Sequence, residues 1–182
     1  QNYSYVPKDF TIPSDASYLH ITSNNTIYGT QMQSFPDSPI PVVCDMSSDI
    51  FSRPVDVSKF DLIYAGAQKN MGPAGVTLVI IKNGITNKMG RKIPTMFNYE
   101  THIEGDSLYN TPPVFPIYVC MATLEWLKSI GGVASIEKIN IAKGKLLYDE
   151  IDRNPSFKGT SAKEDRSLMN ACFLLSQPER EE

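Results

Sequence analysis

The sequence predicts an α/β fold, and three observations lead to this prediction. Four short apolar runs bounded by turn residues lie in the first half of the chain, at residues 18–22, 42–44, 62–65 and 77–81. Their apolar residues are mostly continuous rather than alternating, which is typical of strands covered on both faces. Two long helical patterns follow in the second half. The runs are closer together than an ideal βαβ repeat requires, so some strand pairs are expected to be antiparallel.

Composition is that of an ordinary globular protein. The 182 residues include 17 Lys and Arg against 20 Asp and Glu, a net charge of −3, with 41% apolar and 20% charged residues. These values exclude a disordered or collagen-like chain, and they lack the basic excess of a general nucleic-acid binder. A chain of this length buries enough surface to fold without disulfides or a structural metal.

The hydropathy of the chain and its cysteine residues indicate the cellular compartment. The longest purely apolar run, residues 117–122, is far shorter than the ~20 residues of a membrane-spanning helix, so no membrane span is predicted. No secretory signal opens the chain. The three cysteines, Cys44, Cys120 and Cys172, are widely spaced among apolar neighbours and are predicted to be buried thiols in the cytoplasm. Because the chain starts at Gln1 and stops soon after a strand-like run, we expect a piece of a longer protein.

The second half is predicted to contain a helix pair. Pro112 and Pro113 introduce the first helix, Gly131 and Gly132 end it, and its apolar stripe repeats at steps of three and four residues: Ile117, Met121, Leu124, Leu127 and Ile130. The second helix ends at Asn154 and Pro155, and its apolar face comprises Val133, Ile136, Ile139, Leu146 or Leu147, and Ile151.

The remaining segments suggest how the chain divides. A short helical pattern surrounds residues 58–60, residues 91–105 are expected to be loop with short helices, and residues 167–175 look like a strand. We therefore predict a partial α/β domain at residues 1–115, connecting helices at 116–152, and the start of an incomplete domain at 153–182.

Common catalytic motifs are absent from the sequence. It has no CxxC, HExxH or GxSxG motif, and no metal site is predicted because His20 and His102 are far apart. Residues 66–75 contain three glycines and a lysine but lack the phosphate-loop spacing. They do display Lys69 on a tight turn among small residues, where a flat ligand could approach. A desolvated lysine has the lowered pKa that an imine-forming amine requires, whereas the simpler interpretation is a solvated surface lysine.

Asp45 is the second candidate. It ends an apolar strand 24 residues before Lys69, and the carboxyl ends of strands are where α/β proteins bind ligands. A carboxylate there could hold a pyridinium nitrogen protonated, so that a pyridoxal ring becomes an electron sink. A helix cap or a turn carboxylate explains Asp45 equally well.

Four segments together closely resemble the phosphoserine aminotransferase family. They are DMSS at 45–48, SRP at 52–54, YAGAQKNMGPAG at 64–75 and YNTPP at 109–113. The resemblance covers essentially the whole chain, although family members are longer at both ends. It implies most of the large domain of a fold-type-I pyridoxal-phosphate-dependent transferase, followed by the start of a small α+β C-terminal domain.

The resemblance also implies roles for individual residues. Lys69 would be the Schiff-base lysine and proton shuttle, Asp45 the partner of the pyridine nitrogen, and Gln68 a contact of the cofactor phosphate. Thr26, in NNTIYG at 24–29, matches the residue that bonds the phenolic oxygen, although it could be an ordinary loop hydroxyl. Asn110 and Thr111 match residues that reach the phosphate of a neighbouring subunit. Thr111 could instead be a helix cap.

The function implied by the resemblance is that of the longer protein. It is transamination between glutamate and 3-phosphohydroxypyruvate, giving phosphoserine in serine biosynthesis, by a cytoplasmic homodimer with shared active sites. The family's glycine-containing loop, its stacking aromatic ring and its substrate-binding His and Arg lie partly or wholly outside this chain, and Trp126 is better explained by packing. A non-catalytic cofactor-binding fragment, or an aminotransferase with another substrate, remain alternatives.

Overall fold

The computed structural model describes residues 3–86 and 90–177. Its strands, in chain order, are β1 (Leu19–Thr22), β2 (Asn24–Asn25), β3 (Thr30–Gln31), β4 (Val42–Asp45), β5 (Leu62–Gly66), β6 (Thr77–Ile81), β7 (Phe157–Gly159) and β8 (Phe173–Leu175). The helices are α1 (Tyr99–Glu104), α2 (Val114–Ser129) and α3 (Gly132–Arg153), with single 3-10 turns at Val57–Lys59, Thr95–Phe97 and Lys163–Asp165.

A four-stranded sheet is the central feature of the described residues. Its strand order is β1-β4-β5-β6, with β1, β4 and β5 parallel to one another and β6 antiparallel to β5. The four predicted strands are confirmed to within one residue at each end, and so is the expectation of an antiparallel pair. Because β1, β4 and β5 are parallel, their carboxyl ends meet at one edge of the sheet, which we call the site edge.

The core lies on one face of this sheet. The inward side chains of the strands are Ile21, Val42, Cys44, Ile63 and Ala65, and they pack on a layer that contains Met46, Ile50, Phe60, Met71 and Cys120. The opposite face carries His20, Val43, Asp45 and Tyr64, which are half-buried or exposed. The expectation that both faces are covered is therefore met fully on the core face, whereas the opposite face is half-buried or exposed in the described residues.

The helix pair is confirmed, with α2 starting directly after Pro113 and α3 ending before Asn154. Gly131 adopts a left-handed conformation, with φ of 102°, between the two helices, which is the backbone freedom that glycine supplies at a helix end. No single helix in the described part of the chain is long and apolar enough to cross a membrane. Only α2 and α3 taken together, across a bend of 82°, reach that length and composition.

The predicted apolar stripe of α2 does not decide which side of the helix is buried. Ile117 and Met121 are 43% and 47% exposed, whereas Cys120 is buried. Phe115, Tyr118 and Trp126 are exposed as well, so α2 is apolar around most of its circumference. When a helix has apolar residues on several sides, the buried side is the one that packs against a neighbouring element of the fold. Here a Cβ on Gly72 would lie 2.6 Å from Cys120 Sγ, which shows how closely the loop before β6 approaches α2.

The segment after α3 differs from its prediction. Only Phe173–Leu175 is a strand, and it pairs with β7 in a two-stranded antiparallel ribbon. Ser167 instead starts a turn, because its Oγ accepts hydrogen bonds from the backbone N–H groups of Met169 (3.0 Å) and Asn170 (3.2 Å). A bridge between Thr30 and Arg166 joins this segment to β3. The proposed division at residues 115 and 152 stays a prediction.

Candidate active site

Three chain segments are tied together at the site edge. The N–H of Ser23, just after β1, donates to the Asp45 carbonyl over 3.0 Å. Asp45 at the end of β4 stands opposite Tyr64 of β5 in the parallel register. The N–H of Gly66 at the end of β5 donates to Ser47 Oγ over 3.0 Å. These bonds hold the loops after β1, β4 and β5 in one place.

Lys69 lies on a tight turn that follows β5. The N–H groups of Met71 and Gly72 both donate to the carbonyl of buried Ala67, over 3.1 and 2.8 Å, which closes the turn and turns Lys69 outward. Its ammonium donates to Thr26 Oγ1 over 2.8 Å. The structure therefore brings Lys69 and Thr26 together, although they are 43 residues apart in sequence.

Lys69 is nevertheless exposed to solvent. Burial by the described residues does not desolvate its amine, so the desolvation expected from the sequence is not supplied here. The physical reason is that Lys69 lies on a turn beyond the end of β5, outside the buried core of the sheet.

Asp45 is half-buried and fills two roles at once. Its Oδ1 accepts a hydrogen bond from the N–H of Ser47 over 2.8 Å, so the turn-carboxylate interpretation describes a real contact. The same carboxylate lies on the uncovered face beside Tyr64, whose hydroxyl is 3.1 Å from His20 Nε2. Partial burial raises the pKa of Tyr64, and the negative charge of Asp45 raises it further. Asp45 thus contributes a negative field at the site edge.

Gln68 folds back over the end of β5. A Cβ on Gly66 would lie 2.6 Å from Gln68 Oε1 and 2.9 Å from Nε2, so the amide occupies the space that a larger residue at position 66 would fill. The Gln68 side chain is exposed at the site edge. Its amide is therefore available to a ligand close to the turn that carries Lys69.

Asn110 and Thr111 lie between α1 and α2, and both are exposed. Asn110 Nδ2 contacts Met96 Sδ over 3.3 Å rather than a group at the site edge. The N-cap of α2 is Pro113, and no side chain caps the helix there, so the alternative role of Thr111 as a helix cap is wrong. The surface position of both residues is compatible with a contact to another subunit.

The polar side chains at the site edge suit a pyridoxal-type cofactor. An amine, a hydroxyl, a carboxylate and a primary amide are presented by Lys69, Thr26, Asp45 and Gln68. These groups are what an aldehyde, a phenolic oxygen, a pyridine nitrogen and a phosphate would need, respectively.

Sequence reasoning missed the residues that support Thr26. Asn170 Nδ2 donates to the Thr26 carbonyl over 3.0 Å, and Cys172 Sγ lies 3.3 Å from the next carbonyl, that of Ile27. Both residues come from the segment that was predicted to be a strand. They are 144 and 145 residues away from their partners in sequence, and neither belongs to a local motif that could have indicated this contact.

The fold and this edge define a member of a transferase family. Residues 4–181 match the class-V aminotransferase family, and the chain belongs to it. The particular relatives are phosphoserine aminotransferases. One from Flavobacterium psychrophilum is 68% identical over 176 residues, or 97% of this chain and 49% of that protein, and one from Bacteroides fragilis is 59% identical over 96% of this chain and 49% of that protein. The chain thus spans about half the length of these relatives.

Solved structures agree with the sequence comparison. The phosphoserine aminotransferase from Bacillus circulans subsp. alkalophilus has a TM-score of 0.94 and 43% identity over 98% of this chain and 50% of that chain. A pyridoxal-phosphate-bound phosphoserine aminotransferase from Trichomonas vaginalis has a TM-score of 0.91 and 36% identity over 98% of this chain and 53% of that chain. The predicted family resemblance and the predicted α/β fold class are confirmed.

Proposed function

We propose that the protein to which this chain belongs is a pyridoxal-phosphate-dependent phosphoserine aminotransferase. It transfers the amino group of glutamate to 3-phosphohydroxypyruvate, giving phosphoserine and 2-oxoglutarate in serine biosynthesis. The observation that carries the proposal is the 2.8 Å contact of Lys69 Nζ with Thr26 Oγ1 at the edge where Asp45 ends β4. The identity of up to 68% with phosphoserine aminotransferases supports the substrate pair.

Each residue at the site edge has a role in this proposal. Pyridoxal phosphate, when bound, supplies the electron sink that makes the substrate Cα–H acidic. Lys69 would hold the cofactor through its Nζ and would serve as the base at the substrate Cα. Thr26 Oγ1 orients the phenolic oxygen, and the Gln68 amide binds the phosphate.

Asp45 sets the charge of the ring. A carboxylate beside the pyridine nitrogen favours the protonated nitrogen, because an opposite charge at close range stabilises the cationic form. The bond from the Ser47 N–H to Asp45 Oδ1 fixes the orientation of the carboxylate. The turn contact would therefore support the proposed role of Asp45.

The proposal includes a partner subunit. Asn110 and Thr111 are exposed and are not joined to Lys69 or Asp45 by the contacts described above, so we assign them to the cofactor phosphate of a second copy in a cytoplasmic homodimer. An isologous interface would then give two equivalent shared sites.

A borohydride trapping experiment tests the proposal. The longer protein is mixed with pyridoxal phosphate, reduced with borohydride and digested, and the modified lysine is located by mass spectrometry. We expect the adduct on Lys69, together with turnover of phosphoserine and 2-oxoglutarate. An adduct on other lysines only would refute the site, whereas turnover of other amino acids in preference to phosphoserine would refute the substrate.

The second candidate function is cofactor binding without catalysis by these 182 residues alone. The exposed position of Lys69 favours it, because a transaminase site must exclude water. The same trapping experiment on the isolated chain separates the two functions, since a binder gives the Lys69 adduct with no turnover.

A further inference from the structure

One distant segment bonds the backbone carbonyls of the turn that carries Thr26. Four successive backbone carbonyls of the turn, at positions 26–29, accept hydrogen bonds from residues 161–172. The donors are Asn170 Nδ2 to Thr26 (3.0 Å), Cys172 Sγ to Ile27 (3.3 Å), Ser161 Oγ to Tyr28 (2.7 Å) and the N–H of Ser167 to Gly29 (2.9 Å). The segment therefore determines where the turn lies.

The two segments also touch without room for adjustment. Gly29 has φ of 72°, and a Cβ there would lie 3.0 Å from both Cβ and Sγ of Cys172. Only glycine satisfies both the left-handed backbone and the close approach. The backbone of the turn therefore packs directly against Cys172.

The side-chain oxygen of Asn170 is also held by hydrogen bonds. Its Oδ1 accepts hydrogen bonds from Asn24 Nδ2 (3.0 Å) and Ser167 Oγ (3.1 Å), and both of these residues are buried. Asn24 Nδ2 also donates to Ser48 Oγ over 2.9 Å. Because Asn24 Nδ2 donates to the Asn170 oxygen, the Asn170 amide must present its Nδ2 to the Thr26 carbonyl, since a flipped amide would lose both of these contacts.

We propose that Asn170 is a positioning residue of the active site, which acts on the cofactor through Thr26. The inference rests on the proposed function. Asn170 holds the Thr26 backbone on one side, and the Thr26 hydroxyl meets Lys69 Nζ on the other, over 2.8 Å. The orientation of that hydroxyl therefore depends on a residue whose described hydrogen bonds do not include Lys69.

The expected effect is a change in the proton affinity of the bound cofactor. A hydroxyl held in place as a donor stabilises the phenolate form of the ring oxygen. When Asn170 is removed the hydroxyl loses its fixed direction, and the chromophore binds its proton more tightly. We expect the pH midpoint of the visible absorbance to rise by roughly 0.5–1 unit, the size of about one hydrogen bond.

The test uses the full-length protein loaded with pyridoxal phosphate. Visible absorbance is titrated against pH for the wild type, Asn170→Ala and the control Asn140→Ala. Asn140 matches Asn170 because its Nδ2 also donates to a backbone carbonyl, that of Ser52, over 3.3 Å. It is buried, whereas Asn170 is half-buried, and it lies on α3. Both substitutions should lower the unfolding midpoint, and only Asn170→Ala should shift the absorbance midpoint.

A second variant covers the possibility that Asn170→Ala does not fold. Asn170→Asp retains the volume and the two accepted hydrogen bonds, and it loses the donation to the Thr26 carbonyl together with the longer contact to Cys172 Sγ at 3.5 Å. Its added charge is screened by salt whereas the lost hydrogen bond is not, so the upward shift should persist at 0.5 M salt.

The outcomes separate this inference from the proposed function. A wild-type protein without a borohydride-trapped Lys69 overturns both. A trapped Lys69 with equal absorbance midpoints in the wild type, Asn170→Ala and Asn170→Asp overturns the positioning role alone. A shift of the same size in Asn140→Ala also overturns it, because any loss of stability would then suffice.

Discussion

Cys44 shows how far a single side chain can depart from its usual chemistry in this fold. It lies in the middle of the core with no exposed surface. Burial raises the pKa of its thiol to about 12, and the negative charges of Asp49 and Asp45 add to the effect. The thiol is therefore a packing group and not a nucleophile, since its thiolate is nearly absent at neutral pH.

This pKa predicts how stability depends on alkaline pH. The folded state retains the Cys44 proton from pH 9 to 12, whereas the unfolded thiol loses it above about 9, so stability is lost as the pH rises through that range. The Cys44 contribution to the slope is at most about 1.4 kcal/mol per pH unit. Urea unfolding of the wild type and Cys44→Ala at pH 8, 9 and 10 measures it. Parallel slopes in both proteins would contradict the prediction.

Lys69 is predicted to matter for chemistry and not for folding. Lys69→Ala removes an exposed side chain whose one described bond is to Thr26, so the free energy of unfolding should change by less than about 0.5 kcal/mol. The borohydride-trapped adduct should disappear. Lys82→Ala is the control, because Lys82 is also an exposed lysine with one partner, Asp61 at 3.3 Å. Loss of folding in Lys69→Ala alone would make Lys69 structural.

A matched pair of aspartates separates the two roles of Asp45. Asp45 and Asp56 both accept a hydrogen bond from the N–H two residues later, over 2.8 and 3.0 Å. Asp45→Asn should leave cofactor bound but reduce kcat roughly 10–100-fold, since a charge-assisted hydrogen bond of about 1.5–3 kcal/mol is lost. Asp56→Asn should retain full activity. Transaminase assays that give equal rates for both variants would reduce Asp45 to a turn residue.

At the residue scale, the site could be predicted only where its signal was local. Lys69, Gln68 and Asp45 lie in short contiguous motifs at strand ends, and the chain geometry brings them to one edge. Thr26 was named only through the family resemblance, and its role stays a prediction. Asn170 could not be predicted, because hydrogen bonding to a backbone carbonyl 144 residues away leaves no pattern in the sequence around either partner.

At the scale of elements, the contact of α2 with the loop before β6 depends on Gly72. A Cβ at this position would meet Cys120 Sγ at 2.6 Å and the Cys120 backbone at 3.4 Å. Gly72→Ala should therefore destabilise the protein by about 1–3 kcal/mol, the usual result of overpacking. Gly90→Ala is the control, because a Cβ there meets nothing within 4 Å.

A double substitution checks that the cause is steric. Cys120→Ala removes the sulfur that the new methyl group meets, so Gly72→Ala should cost less in the Cys120→Ala background than in the wild type. Thermal unfolding of the four proteins gives the coupling energy directly. Simple additivity of the two substitutions would show that Gly72 acts through its backbone freedom instead.

Element boundaries were easier to predict than element burial. Turn residues mark both ends of β4, β5 and β6, and prolines and glycines delimit α2, so local chemistry determines where these elements start and stop. Which side of α2 faces the core depends on Gly72, more than 40 positions earlier, and the helix itself is apolar on several sides. Residues 167–172 do not form the expected strand, because Ser167 Oγ accepts hydrogen bonds from the N–H groups of Met169 and Asn170 and closes a turn.

At the scale of the whole molecule, the proposed homodimer makes a prediction about cofactor binding. If Asn110 and Thr111 complete the phosphate site of a partner, the full-length protein should bind pyridoxal phosphate tightly only as a dimer. Sedimentation velocity with and without the cofactor, over a range of protein concentrations, measures this. A monomer that binds the cofactor as tightly as the dimer would show that the two residues are not needed from a partner.

Because residues 161–172 hold the Thr26 turn, the order in which the chain is translated determines when the cofactor site can form. Translation produces Thr26, Asp45 and Lys69 long before Asn170. A nascent chain that has reached only the end of α3 carries those three residues but none of the groups that bond the carbonyls at positions 26–29. Pyridoxal phosphate offered to ribosome-bound chains of increasing length should therefore be captured late, after residue 172 has left the exit tunnel.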